Sequence, residues 1–369
     1  MIVKKLKILM SGGGTGGHIF PAIAIAQEIQ KRFPDSEFLF IGAQNKMEME
    51  KVPQAGFKIK GLNIAGFDRG NKLKNISLPY KIIMSLLKVK NIIQEFKPDF
   101  AIGTGGFASA PALYMASNLG VQTFIQEQNS LPGKTNQFLA KKAKSVFTAY
   151  PKMENFFPKS QTFFLGNPVR ETIVKDLIDA KLAKEKLGLN PEIITILSVG
   201  GSLGSRTINN GWKDNLDNLK KTGYQLIWQT GKNDFKEIAD NQKSTINNQI
   251  TLKEFISDMA LYYSAADVIV SRAGAIAISE LAIAKKPILL VPLPTAAEDH
   301  QTRNALNLVK ENAAKMVKDS EMKDKFWPTL MEICKNENLR KTMSENLKDL
   351  AKPNATEEIV TEIFKIINN

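Results

Sequence analysis

The feature that most constrains this chain is an alternation. Short runs rich in β-branched and aromatic residues are followed, one after another, by glycine turns and longer amphipathic stretches, the pattern that strand–helix units around a parallel sheet produce. Strands are expected at Lys7–Met10, Glu37–Ile41, Asp99–Gly103, Val121–Gln126 and Ser145–Ala149. A second set is expected at Ile193–Val199, Gln225–Gln229, Ile250–Phe255, Val268–Ser271 and Pro287–Val291. The pattern restarts after the polar segment Lys175–Pro191, so two similar α/β halves are expected, and 369 residues at 43% hydrophobic content suffice for two cores. Pro21 reads as a first-turn proline of a helix whose Ala22, Ile25, Ala26, Ile29 and Phe33 repeat at helical spacing. Glu357–Ile367 reads as a further amphipathic helix, with Ile359, Val360, Ile363 and Ile367 on one face.

Charge narrows the partners. Fifty Lys and Arg against 37 Asp and Glu leave a formal +13, which points to anions: nucleic acid, anionic lipid headgroups or phosphorylated small molecules. The single cysteine, Cys334, excludes an internal disulfide framework and fits a reducing compartment. The N-terminal residues pass at once into a glycine loop without the apolar stretch of a signal peptide, and no window holds the ~20 apolar residues of a spanning helix. A chain neither exported nor integral is expected, with any membrane contact peripheral.

Directly after the first strand comes Ser11-Gly12-Gly13-Gly14-Thr15-Gly16-Gly17-His18-Ile19-Phe20-Pro21, a glycine turn leading into a helix N-terminus. Such a turn lets backbone N–H groups approach an anion while the helix dipole favours negative charge. Gly12, Gly14 and Gly17 also satisfy the dinucleotide fingerprint, but the second strand ends Phe40-Ile41-Gly42-Ala43-Gln44, without the acidic residue that would hold a ribose there. Two more glycine turns follow strands, at Gly103-Thr104-Gly105-Gly106-Phe107 and Gly200-Gly201-Ser202-Leu203-Gly204-Ser205. Any one of them could be a tight connection needing positive φ; together, at strand C-terminal ends, they suggest a cleft lined by anion-binding turns.

In the second half, Val270 to Glu280 reads as strand, glycine turn and helix, with Glu280 in the helix's second turn. A carboxylate there can accept hydrogen bonds from both hydroxyls of a ribose whose phosphates sit at the helix N-terminus; otherwise it is a solvated helix glutamate. Arg170, in Gly166-Asn167-Pro168-Val169-Arg170, offers a fork of donors suited to phosphate, or a hinge salt bridge. The polar loop Thr295 to Gln301 could close over a sugar, or simply begin a helix.

Together these residues resemble the MurG family, the UDP-N-acetylglucosamine transferases that make lipid II of bacterial peptidoglycan from lipid I. The marks are Gly13 to Pro21, Gly103 to Phe107, Glu127-Gln128-Asn129, Gly166 to Arg170, Gly200-Gly201-Ser202, Arg272-Ala273-Gly274-Ala275 and His300-Gln301-Thr302-Arg303-Asn304-Ala305, spanning nearly the whole chain. The resemblance implies a GT-B fold of two Rossmann-like domains facing across a cleft. Residues 1–166 with the C-terminal helix 352–369 would form the acceptor- and membrane-binding domain, and 167–351 the UDP-sugar domain. It implies Ser202 and Arg170 as diphosphate contacts, Ile256 as a uracil contact through its backbone, and Glu280 as the ribose ligand. Ala275, Ile276 and Ala277 would line the donor site, Gln301 would read the sugar hydroxyls, and Thr15, Gly16, Gly17 and Asn129 would face the donor from the other half. Gly14, Gly105, Gly106 and Glu127 would bind the acceptor. Gln126, Leu203 and Ala277 depart from the usual pattern, where relatives carry His, Gln and Thr, so Ala277 would contribute backbone only.

The implied chemistry is inverting transfer of N-acetylglucosamine to the C4 hydroxyl of the acceptor's N-acetylmuramic acid, giving a β-1,4 linkage. The chain has no Asp-x-Asp pair and only two histidines, far apart, so no metal or other cofactor is expected. Helix N-termini, backbone N–H groups and Arg170 would stabilise the leaving diphosphate. His18, with a reference pKa near neutrality, is the candidate general base, or else orients the acceptor diphosphate. Asn71–Phe96 offers Lys72, Lys74, Lys81, Lys88 and Lys90 around Ile82, Ile83, Leu86, Leu87, Ile92 and Ile93. It is either a core helix with a lysine edge or a helix lying on the anionic cytoplasmic face of the membrane. Expected partners are UDP-N-acetylglucosamine, lipid I, that membrane surface and other cell-wall enzymes. A UDP-N-acetylglucosamine 2-epimerase shares the implied fold but would want more histidines for proton exchange at C2. A nucleic-acid-binding module is disfavoured, since the lysines are scattered and no such motif appears.

Overall fold

The computed structural model describes residues 5–66, 76–201, 203–241 and 249–368. The chain divides into two units, Met1–Val169 with Lys352–Asn369, and Arg170–Ala351.

Unit 1 begins β1 (Lys7–Gly12), α1 (Gly16–Arg32), β2 (Glu37–Ala43), α2 (Glu48–Gln54), β3 (Lys58–Leu62) and α3 (Leu78–Phe96). It continues β4 (Phe100–Gly105), α4 (Ser109–Asn118), β5 (Gln122–Glu127), α5 (Lys134–Ala140), β6 (Ser145–Thr148) and β7 (Thr162–Phe164). All its strand pairs are parallel, in the order β3-β2-β1-β4-β5-β6-β7. Both faces of the sheet are covered, which is why its central strands are nearly continuous apolar runs. The two-residue period sorts them. Ile8, Met10, Phe38, Phe40, Phe100, Ile102, Phe124 and Phe147 point to one core, and Leu9, Leu39, Ile41, Ala101, Ile125 and Val146 to the other.

Unit 2 contains α6 (Glu171–Lys175), α7 (Ala180–Lys186), β8 (Thr195–Val199), α8 (Arg206–Lys213), α9 (Leu216–Thr222), β9 (Gln225–Gln229) and α10 (Phe235–Asn241). Then come β10 (Ile250–Lys253), α11 (Met259–Ala265), β11 (Val268–Ser271), α12 (Ala275–Ala284), β12 (Ile288–Leu290), α13 (His300–Lys310), β13 (Lys315–Met316), α14 (Met322–Lys335) and α15 (Glu337–Asn346). Its parallel sheet runs β10-β9-β8-β11-β12-β13. Trp212 meets Phe326 edge-on at 5.3 Å, and each core tryptophan has an indole partner: Trp212 donates to Ser198 Oγ at 2.8 Å and Trp228 to Asn209 Oδ1 at 2.9 Å.

The chain then returns to unit 1 as α16 (Ala355–Asn368), which packs on α1. Ile359, Val360 and Ile363 are fully buried there, worth roughly 1.5–3 kcal/mol each. Phe364 stacks on Phe33 at 4.3 Å, and Arg32 donates to Thr361 Oγ1 and the Glu357 carbonyl at 2.8 and 2.9 Å.

One sequence expectation needs correction. α1 begins at Gly16, so Pro21 lies inside the helix rather than in its first turn, because Thr15 in extended backbone already starts the helix. On the lysine edge of α3, Lys88 is exposed and its Nζ donates to the Gly61 carbonyl at 2.8 Å. Lys72 and Lys74 lie outside the described residues.

Candidate functional site

In each unit the strand order reverses once, between β1 and β4 in unit 1 and between β8 and β11 in unit 2. Open α/β sheets bind ligands at the carboxyl ends of the strands at such a reversal. The glycine turns lie there: Gly12 to Gly17 after β1, Gly105-Gly106 after β4, Gly200-Gly201 after β8 and Arg272 to Gly274 after β11.

In unit 1 the two turns are laced together. Gly13 N donates to Gly105 O at 3.3 Å, Thr104 Oγ1 to His18 O at 2.6 Å, and Ser109 Oγ to both Ser11 O (3.0 Å) and Gly105 O (2.8 Å). Gly106 has φ +83°, and a Cβ there would stand 2.1 Å from Gly13 O, so no other residue fits. Thr15 Oγ1 lies 3.1 Å from His18 Nδ1, which fixes the ring. A Cβ on Gly105 would meet His18 Cδ2 at 2.9 Å and Asn136 Nδ2 at 3.2 Å, so the imidazole rests against this second turn.

Glu127 ends β5 fully buried. Its carboxylate accepts from Asn129 N (2.9 Å), Asn136 Nδ2 (2.8 Å) and Gly133 N (3.2 Å). Burial pushes its pKa up against the opposing pull of those donors. The carboxylate therefore shapes the turn that carries Asn129.

Glu48, which the sequence reading did not single out, is the second buried carboxylate. Oε2 accepts from Gly14 N at 3.0 Å and Oε1 from Ala43 N at 2.9 Å. The Gly14 N–H expected to face an anion is thus held by a carboxylate of the chain itself. Gly13 and Gly42 make room for it: a Cβ at either would come within 2.2 and 2.5 Å of the Glu48 side chain.

In unit 2, Gly204 (φ +87°) follows β8, and a Cβ there would lie 2.0 Å from Thr230 O, so the turns after β8 and β9 touch backbone to backbone. Ser202 lies outside the described residues. Ser205 caps α8, its Oγ accepting from Ile208 N at 3.3 Å.

Arg272, Gln301 and Asp319 bind the other turns into one frame. Arg272 Nη1 donates to Val291 O and Pro292 O, each at 3.0 Å, and to Asp319, whose other oxygen accepts from Thr207 Oγ1 at 2.6 Å. Gln301 Oε1 accepts from Ala273 N (3.2 Å) and Leu293 N (3.0 Å), so its amide oxygen is committed to these two turns.

Glu280 is buried in the second turn of α12. Arg170 forks onto it, Nε to Oε1 at 2.8 Å and Nη2 to Oε2 at 2.9 Å, and Tyr263 OH adds a third donor at 3.4 Å. Burial works to lower the Arg170 pKa, and the Glu280 contact outweighs it. Ala275, Ile276 and Ala277 form the first turn of α12, and Ile256, its side chain buried, precedes α11.

α3 carries two apolar faces. Val89, Ile92 and Ile93 enter the core, while Ile83 and Leu87 stand 57% and 51% exposed with Tyr80 and Met84 beside them. No helix among the described residues is long and apolar enough to cross a membrane.

Comparison with known proteins gives two family matches: the glycosyltransferase family 28 N-terminal domain over residues 8–148 and its C-terminal domain over residues 195–359. The chain is 49% identical to the UDP-N-acetylglucosamine–N-acetylmuramyl-(pentapeptide) pyrophosphoryl-undecaprenol N-acetylglucosamine transferase of Cytophaga hutchinsonii, over 99% of this chain and 98% of that one. It is 46% identical to the protein of the same name from Flavobacterium psychrophilum, over 100% and 99%. Among solved structures, Acinetobacter baumannii MurG matches with a TM-score of 0.78 at 31% identity, covering 98% of this chain and 99% of that one. A UDP-N-acetylglucosamine 2-epimerase matches with a TM-score of 0.67 at 15% identity, a likeness of fold alone, covering 98% and 96%.

Proposed function

The chain belongs to glycosyltransferase family 28, with the GT-B fold, and from that membership we propose its reaction and the residues that perform it. It transfers N-acetylglucosamine from UDP-N-acetylglucosamine to the C4 hydroxyl of N-acetylmuramic acid in lipid I, forming lipid II of peptidoglycan with inversion at the anomeric carbon. The observation that carries the site assignment is the coincidence of both sets of glycine turns with the strand-order reversals of their sheets.

UDP belongs to unit 2. Glu280 accepts the ribose hydroxyls, the Ile256 backbone pairs with uracil, and Arg170 with the Ser202 turn and the α12 N-terminus takes the diphosphate charge. Gln301, its oxygen committed to Ala273 and Leu293, reads a sugar hydroxyl oxygen as a donor. Ala275, Ile276 and Ala277 line the donor through the first turn of α12.

The acceptor belongs to unit 1, at the turns holding Gly14, Gly105 and Gly106 and at the Asn129 turn shaped by Glu127. Thr15, Gly16, Gly17 and Asn129 are its surfaces toward the sugar. His18, its Nδ1 engaged by Thr15, removes the C4 hydroxyl proton through Nε2. The acceptor oxygen then bonds to the anomeric carbon as the bond to the UDP oxygen breaks, and UDP leaves with the negative charge. Fixed dipoles and Arg170 stabilise that charge.

The exposed face of α3, with Tyr80, Ile83, Met84 and Leu87 among Lys81 and Lys90, lies on the anionic cytoplasmic surface of the membrane, where a polyprenyl-linked acceptor is found. The test is UDP release from UDP-N-acetylglucosamine with and without a lipid I analogue. Acceptor-dependent release that disappears in Glu280→Ala and His18→Ala supports the assignment. Release that ignores the acceptor in a folded, UDP-binding protein overturns it.

A further inference from the structure

Resting on the assignment of UDP to unit 2, we propose that the Arg170–Glu280 pair makes ribose recognition conditional on phosphate: Arg170 covers the ribose-binding carboxylate until a diphosphate draws the guanidinium away. The pair would then set selectivity for a uridine nucleotide over uridine beyond what the phosphate contacts supply by themselves.

The geometry behind this is a count of acceptor sites. A carboxylate offers about four lone-pair sites. Three on Glu280 are committed, two to the Arg170 fork and one to Tyr263 OH. A ribose donating both vicinal hydroxyls needs two. One of the present donors has to leave, and Arg170 is the one able to. Its side chain is 45% exposed whereas that of Glu280 is 6% exposed, and Glu280 is held within α12. Arg170 sits at the N-cap of a five-residue helix. Tyr263 is fully buried; burial and the Glu280 charge hold its phenol well above the ordinary value, so it keeps its proton and goes on orienting the carboxylate.

Separating a bidentate, charge-assisted pair leaves a buried carboxylate and a guanidinium without partners, unless each finds a substitute. A nucleoside supplies hydroxyls for Glu280 and nothing for Arg170. A nucleoside diphosphate supplies both, and its phosphate oxygens match the same guanidinium fork. Ribose and phosphate binding are thereby coupled through one side chain, and such coupling is reciprocal.

The experiment is calorimetric titration of uridine and of UDP into the full-length wild type, Arg170→Ala and Arg170→Lys. Removing the fork is expected to weaken UDP about 10- to 100-fold while tightening uridine about tenfold, so the preference for the nucleotide collapses from both ends. Arg170→Lys keeps the charge but not the fork, and uridine tightens in it by a smaller factor. It carries the test if Arg170→Ala does not fold. A wild type that binds UDP, with uridine no tighter in either variant, overturns the gate and leaves the donor site standing. A folded wild type that binds neither ligand overturns the donor-site assignment and the gate with it.

Discussion

Glu48 is the most exposed point of this account to experiment, because it is a buried acid that touches no reacting atom. Its two oxygens each hold one backbone N–H, of Gly14 and of Ala43, and the side chain is fully buried. Glu48→Gln preserves the volume but turns an amide NH₂ toward one of these donors, so one N–H loses its acceptor. Leaving a buried donor unsatisfied costs about 1–3 kcal/mol. Glu48→Ala orphans both donors and opens a void, so about twice that is expected. For a domain of this size the Gln variant should lower the melting temperature of unit 1 by about 3–10 °C. The kinetic consequence is specific: with the Gly14 turn loosened, KM for a soluble lipid I analogue rises while calorimetric affinity for UDP stays at the wild-type value. Circular dichroism melts and initial rates against each substrate measure both. Unchanged melting and unchanged acceptor KM in Glu48→Gln would refute the claim that this carboxylate holds the glycine turn, and a loss of UDP affinity would show that it acts on the wrong unit.

Other outcomes follow from the same contacts. Asp319→Ala removes the anion that anchors Arg272 across two turns and should weaken UDP about tenfold by calorimetry without unfolding unit 2, whereas unaltered affinity contradicts the clamp. His18→Ala should lower kcat about 10²- to 10⁴-fold with UDP affinity retained; a change confined to acceptor KM would move the residue from base to orienting contact. Placing glutamates at Ile83 and Leu87 together should reduce sedimentation with anionic phospholipid vesicles about tenfold or more while leaving UDP affinity intact. Burial pushes the Cys334 thiol up to about 12, so it should resist alkylation at pH 8 in the folded protein and react once unfolded.

How far the sequence could be read follows from where each segment lies. The central strands announced themselves because a parallel sheet covered on both faces demands continuous apolar runs, as in Phe100 to Ile102. β3, β7 and β13, three of the four edge strands, went unread. An edge tolerates the lysines of Lys58-Ile59-Lys60, and the two residues of β13 carry no periodicity. The glycine turns were visible, and so was Glu280. Its pairing was not, since Arg170 lies 110 residues away and the salt bridge open to Arg170 carried no sign of its partner. Glu48 and Asp319 were hidden for a further reason. An acid near the start of a short helix is ordinarily a solvated partner of the dipole, and only the tertiary structure shows these two facing backbone N–H groups and a guanidinium. For α3 the sequence left the faces unassigned, and the structure sends one apolar face into the core and leaves another exposed.

The most direct test of the central claim is to identify the product. The protein is incubated with UDP-N-acetylglucosamine and a lipid I analogue, and the acceptor is analysed by mass spectrometry and by NMR at the new anomeric centre. The account predicts an acceptor heavier by one N-acetylhexosamine residue, joined at C4 with the β configuration. An unmodified acceptor alongside a sugar epimerised at C2, or an α linkage, would contradict it.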